Sequence, residues 1–195
     1  LTAVVLPIPA SLRTDVGHHT AFAKLCEMSM DIHFPSFEEQ INEMRALNPP
    51  LAVGDYFVTR HSNMGGTVTA VFHLLVPPDE TPNGNIPQAV LSGLGRILRA
   101  CATNAVTTLS LPLLLLDGGP SEISLPHTVA GDRVKSVLRA LNNALHEVGN
   151  ETGEGAALQT LKLILPPTAA KVEQGINLTV IESARAAVLQ IFTWF

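Results

Sequence analysis

The chain of 195 residues is 46% hydrophobic and 15% charged, a composition that fills one full core or two small ones and excludes disorder as its main state. Few aromatic residues leave the core to Leu, Val, Ile and Ala. A net charge of −5, with twelve scattered Lys and Arg, offers no basic stripe for a phosphate backbone.

Thr2 to Ile8 is β-branched and apolar, which predicts a buried strand leading into a loop from Ala10 to Gly17. His18 to Met30 carries apolar residues at helical spacing. A second helix is expected from Ser36, where Ser36 and Glu39 form a capping box, to about Leu47, where Asn48-Pro49-Pro50 stops it. Tyr56 to His61 and Thr67 to Val76 read as neighbouring strands joined by a turn-rich connector, Ser62 to Gly66. After a Pro-, Asn- and Gly-rich loop, Ala89 to Thr103 is helical, with Val90, Leu94, Ile97, Leu98 and Cys101 on one side and Arg96 and Arg99 on the other. Val106 to Leu116 reads as a strand covered on both faces, ended by Asp117-Gly118-Gly119-Pro120. His127 to Val148 is helical, Leu158 to Leu165 a last buried strand, and Thr168 to Phe192 a final helix. Strands alternating with helices predict an α/β fold of three layers: a mixed, mostly parallel sheet of about five strands flanked by helices, in a single domain over residues 1–195.

No segment is apolar for long enough to span a bilayer, and no basic n-region precedes the opening strand, so neither membrane insertion nor a signal peptide is expected. A start inside a strand-like run without Met points to a domain cut from a longer protein. Cys26 and Cys101 sit in no CxxC pair, so a reducing compartment is the default.

The catalytic motifs fail one by one. No GxxxxGK[ST] or GxSxG occurs, and the pairs Gly93-Leu94-Gly95 and Gly153-Glu154-Gly155 lack the third glycine and the preceding strand of a dinucleotide fold. His18, His19 and His33 with Asp15 and Asp31 match no metal-ligand spacing, so no metal and no cofactor is expected. Thr59-Arg60-His61-Ser62-Asn63 packs five polar residues at a strand end. The simple reading is that Ser62 and Asn63 bond the turn while Arg60 and His61 face water. His73, inside an apolar run, reads as a core or edge histidine paired to backbone. No activated nucleophile stands beside His61 or His73 to support a hydrolase. The loops after the first and fourth strands, from Pro9 to Gly17 and from Asp117 to Ser121, lie where an open α/β sheet binds ligands, and their glycines let backbone N–H groups approach an anion.

The blocks Gly54 to Asn63, Val71-Phe72-His73-Leu74, Gly93 to Leu98 and Leu109 to Leu115, preceded by Ala21 to Cys26, Asp31 to Pro35 and Glu38-Glu39-Gln40, resemble the C-terminal region of the third-subunit family of the FERRY complex. FERRY is an effector of the early-endosomal Rab GTPase that links endosomes to messenger RNA. The order of elements is similar, more distantly, to a macro domain, with Phe72-His73 in place of that family's Ile-His pair. Ala10 to His19 and Asp117 to Pro120 would stand for its two ligand loops. The first loop lacks the Asn-rich and Gly-rich sequence of macro domains and the second lacks Gly-x-Phe-Gly, which implies a degenerate macro-like fold.

The resemblance implies a non-catalytic interaction or scaffold domain, cytoplasmic and held at early endosomes by the other subunits, with RNA contacted only indirectly. Its motif residues would be Thr59, Arg60, His61, Ser62, Asn63 and His73. The alternative is a macro-like module or hydrolase that takes ADP-ribose or a weak nucleotide ligand through Asp15, Gly17, His18, Asp117, Gly118 and Gly119.

Overall fold

A computed structural model describes residues 1–12, 22–26, 33–47, 51–64, 67–77, 85–115, 127–152 and 158–164. Its elements in chain order are β1 (Thr2–Pro9), α1 (Phe37–Ala46), β2 (Tyr56–Met64), β3 (Val68–Val76), α2 (Gln88–Thr103), β4 (Thr108–Pro112), α3 (His127–Thr152) and β5 (Thr160–Ile164). The sheet order is β2-β3-β1-β4-β5. β3, β1, β4 and β5 run parallel and β2 pairs antiparallel with β3, giving the mixed, mostly parallel five-stranded sheet expected.

The period-2 alternation of strand side chains divides the core between the two sheet faces. On one face Ala3, Val5, Phe72, Leu74, Leu109 and Leu111 pack against the apolar stripes of α2 (Val90, Leu94, Ile97, Leu98, Cys101) and α3 (Val134, Val137, Leu138, Leu141). On the other face Val71 packs with Met64, with Phe37 and Ile41 of α1, and with Phe22 of a helical turn over residues 22–26. Each fully buried Leu or Ile contributes about 1.5–3 kcal/mol, so the larger cluster carries most of the hydrophobic driving force. Cys101 belongs to it as a small apolar side chain, and burial pushes its thiol up to about 12. Cys26 and Cys101 are both free thiols.

Helix α1 starts as its sequence predicts. Ser36 is the N-cap: the Glu39 N–H donates to Ser36 Oγ at 3.3 Å, and Glu39 Oε2 accepts from the Ser36 N–H at 2.8 Å. Helix α2 spans Gln88–Thr103, one residue longer than its apolar pattern indicates, and α3 extends past Val148 to Thr152.

Three expectations need correction. β2 runs on through Ser62, Asn63 and Met64, so these residues belong to the strand, while Thr67, expected to open the next strand, is a turn residue and β3 starts at Val68. β4 ends at Pro112: the Leu115 N–H donates to the Pro112 carbonyl at 3.2 Å and Leu115 adopts φ +51°, so Leu113, Leu114 and Leu115 form a buried turn. An unbroken apolar run states burial and cannot by itself separate strand from turn. β5 is an edge strand, with Thr160, Lys162 and Ile164 exposed and Leu161 and Leu163 half-buried. The segments proposed as helical from His18 to Ala21, from Glu27 to Met30 and from Thr168 to Phe192 lie outside the described residues. No helix among the described residues is long and apolar enough to cross a membrane.

Candidate functional site

The polar block at the end of β2 splits by strand alternation. Thr59 and His61 turn inward and are buried, while Arg60 turns outward. His73 of β3 sits opposite Phe57 and beside Leu6 of β1, fully buried. Thr59 Oγ1 lies 3.0 Å from His61 Nε2 and 2.9 Å from His73 Nε2, so one hydroxyl joins two imidazoles. A hydroxyl has a single proton to give. At most one of the two Nε2 atoms can therefore accept from Thr59, and at least one carries its own proton and donates to the hydroxyl oxygen.

Aromatic rings enclose this node. Phe57 stacks on the His73 ring at 4.6 Å, Phe37 stacks at 5.8 Å, and Phe22 meets both histidines edge-on at 5.6 and 5.8 Å. The sequence reading placed His61 in water. It is buried because its strand position shares the face of Thr59 and Phe57, which α1 and the 22–26 turn cover. His73 is a core histidine as expected, but its Nε2 bonds a side chain.

The outward residues of the block tie β2 to α1. The Gln40 side chain pairs with the Arg60 backbone as a neighbouring strand would: its Nε2 donates to the Arg60 carbonyl and its Oε1 accepts from the Arg60 N–H, both at 2.9 Å. The Arg60 guanidinium lies 5.4 Å from the centre of the Phe34 ring. Ser62 Oγ accepts from the His33 N–H at 3.2 Å, which ties this end of β2 to the approach to α1.

A second joint links Gly54-Asp55 to the start of α2. Gly54 has φ +92°, and a Cβ there would lie 2.3 Å from the Ala89 carbonyl oxygen. A Cβ on Gly93 would lie 2.0 Å from the Gly54 oxygen. Two glycines let helix and turn touch backbone to backbone. Arg96 Nη2 then donates to the Gly54 carbonyl at 2.8 Å and to Asp55 Oδ1 at 2.9 Å. Asp55 Oδ2 accepts from the Ala52 N–H, and that bond, assisted by Arg96, holds the carboxyl below its ordinary range. The spacing Gly93-Leu94-Gly95-Arg96, a failed dinucleotide motif by sequence, is a packing motif.

The crevice end of the sheet lies where β1 and β4 finish. Both strands leave through a non-glycine residue in the left-handed region, Leu12 at φ +58° and Leu115 at φ +51°. Each exit is tied by an arginine from a flanking helix: Arg45 Nη2 of α1 donates to the Leu12 carbonyl at 2.8 Å, and the buried Arg133 of α3 donates through Nε to the Leu114 carbonyl at 3.1 Å. Sequence reasoning missed both. Arg133 left a signal, for it falls on the apolar face of its helix beside Ala130, Val134 and Val137. The proposed ligand residues Asp15, Gly17, His18, Asp117, Gly118 and Gly119 lie outside the described residues, as do His19 and Asp31. The described residues hold no group of three or more His, Cys, Asp or Glu placed to share a metal ion.

Comparison with solved structures places the fold. The macro domain of ganglioside induced differentiation associated protein 2 superposes with a TM-score of 0.59 at 13% identity, over 97% of this chain and 76% of its own. The Oceanobacillus iheyensis macrodomain with ADP gives a TM-score of 0.61 at 15% identity, over 97% and 85%. A mutant of that macrodomain with ADPR gives 0.62 at 16%, over 98% and 86%. The fold is therefore macro-like, as the order of elements suggests. In sequence, the FERRY endosomal RAB5 effector complex subunit 3 of Rattus norvegicus is 25% identical over 205 residues and that of Homo sapiens 25% over 203. These alignments take in 85% of this chain and 36% of each relative, so the chain spans about a third of the length of the relatives it matches. The family model for Ferry endosomal RAB5 effector complex subunit 3 matches residues 1–49 and 42–192, nearly the whole sequence, and the chain belongs to that family.

Proposed function

We propose that this chain is a non-catalytic interaction domain of an early-endosomal RAB5 effector complex, a single macro-like unit over residues 1–195 that holds partner subunits. One observation carries the reading: the side chains in the recognised blocks that could do chemistry are engaged in the fold. Thr59, His61 and His73 bond one another inside an aromatic layer, and Asp55 and Arg96 close the joint between β2 and α2. A buried imidazole pair cannot meet a substrate, whereas a rigid three-layer scaffold can present its outer helices to partners. In this reading the chain is cytoplasmic, reaches endosomes through the other subunits, and touches messenger RNA only through the assembled complex, because its own net charge of −5 repels a polyanion.

Reconstitution tests this. The full-length protein is expected to co-elute with the other subunits on size exclusion, and RNA to shift only with the assembled complex. A protein that stays monomeric among the other subunits, or that binds RNA alone at physiological salt, would refute the reading.

A second reading has support in the strand order. β1 lies between β3 and β4, and ligands of open α/β sheets bind outside the carboxyl ends of such neighbouring strands. In it the loops after β1 and β4 take ADP-ribose or another nucleotide through Asp15, Gly17, His18, Asp117, Gly118 and Gly119. Calorimetry decides: absence of heat at millimolar ADP-ribose, where binding is worth only about −4 kcal/mol, removes it.

A further inference from the structure

The layer formed by α2 and α3 differs in charge from the rest of the molecule. These helices carry five of the twelve Lys and Arg (Arg96, Arg99, Arg133, Lys135, Arg139) but only three of the seventeen acids (Asp132, Glu147, Glu151). Arg133 is buried, and the other four cations are exposed. The rest of the chain is correspondingly more acidic than its net charge suggests.

Between the two helices runs an open groove of about 340 Å³, lined among others by Leu91, Gly95, Arg96, Arg99, Ala144 and Glu147. On its floor two small residues meet, for a Cβ on Gly95 would touch only the Ala144 Cβ, at an ordinary 3.6 Å, and Gln88, Ser92 and Asn143 add polar groups to the lining. Its α2 wall is cationic, with Arg96 and Arg99 adjacent at a spacing of three. Arg96 makes both its bonds, to Gly54 and Asp55, through Nη2, so the guanidinium is oriented in advance while its side chain stays 51% exposed. Orientation in advance lowers the entropy lost when a carboxylate binds. Arg99 meets Glu147 across the groove at 3.5 Å with both side chains largely in solvent, a pairing weak enough for an incoming carboxylate to replace.

We propose that this groove docks an acidic segment of another subunit, with an apolar side chain seated on Leu91, Gly95 and Ala144 and carboxylates on Arg96 and Arg99. The inference rests on the reading of the chain as an interaction domain. Charge complementarity selects the occupant: two adjacent arginines suit one or two carboxylates, while Glu147 at the rim and Asp132 on the same helix oppose an extended polyanion.

The test uses the full-length protein reconstituted with the other subunits. Gly95→Leu fills the floor and Arg99→Glu reverses the wall, and each is expected to weaken assembly at least tenfold with an unchanged thermal transition. Lys135→Glu, on the same layer but outside the groove, is expected to assemble as wild type. If Gly95→Leu lowers the thermal transition, Arg99→Glu decides alone. Wild-type assembly by Arg99→Glu, an equal loss in Lys135→Glu, or loss of RNA association alone would overturn the proposal. Failure of the wild-type protein to assemble would instead refute the interaction reading beneath it.

Discussion

Gly93→Ala adds one methyl group at the point where α2 rests on the turn before β2. The new Cβ would stand 2.0 Å from the Gly54 carbonyl oxygen and 2.9 Å from Leu74 Cδ1. The oxygen belongs to backbone and Leu74 is fully buried, so the helix itself must move away by more than an ångström to restore van der Waals distance. That movement loosens Val90, Leu94 and Ile97 against the sheet, an overpacking cost of about 1–3 kcal/mol. It also draws Arg96, one turn along the same helix, away from the Gly54 carbonyl, for about 1 kcal/mol more. The better helix propensity of Ala returns up to about 1 kcal/mol. The expected net loss is about 1–4 kcal/mol, and at 2–4 °C per kcal/mol for a chain of this size the thermal midpoint should fall by roughly 2–16 °C. Gly95→Ala, two residues away, meets only Ala144 at 3.6 Å and should keep or slightly raise the midpoint. Both are read by thermal and urea denaturation. Equal stability of Gly93→Ala and wild type, or equal losses in the two variants, would refute the close backbone contact.

Thr59→Val removes the hydroxyl between two buried imidazoles and should cost about 2–4 kcal/mol in urea unfolding, with Thr59→Ser losing clearly less; a silent Thr59→Val would mean that the node contributes nothing. Ser36→Ala deletes the α1 cap and should lower stability by about 1 kcal/mol. Asp55 has a lowered folded-state pKa, so its contribution is complete above the unfolded carboxylate pKa of about 4 and is lost as pH falls through the lower folded value. Asp55→Asn should therefore flatten the acid limb of the stability profile, and an unchanged limb would contradict the Ala52–Asp55–Arg96 linkage. Ala105, exposed just beyond the α2 C-cap Asn104, adopts φ +53°, so Ala105→Gly should raise the thermal midpoint through about 0.5–1 kcal/mol. A fall would show that the helix does not end in that left-handed conformation.

Periodicity and end signals in the sequence determined what local physics governs: the capping box at Ser36 and Glu39, the apolar stripe from Val90 to Cys101, the two strand-like runs from Tyr56 and Thr67, and the α/β order of the elements. Side-chain spacing and caps act within a few residues and need no partner to be read. Tertiary structure decided the rest. The fate of Thr59, His61 and His73 depended on which strand face α1 covers, and a polar run carries no mark of that. The apolar run after Val106 divided into strand and buried turn only when β5 pairing ended at Pro112. The roles of Gly54 and Gly93 exist only between segments about 40 residues apart in sequence, where two backbones meet with no room for a Cβ. Likewise the groove between α2 and α3, with Arg96 oriented on its wall, arises from a crossing of helices that neither sequence segment encodes alone.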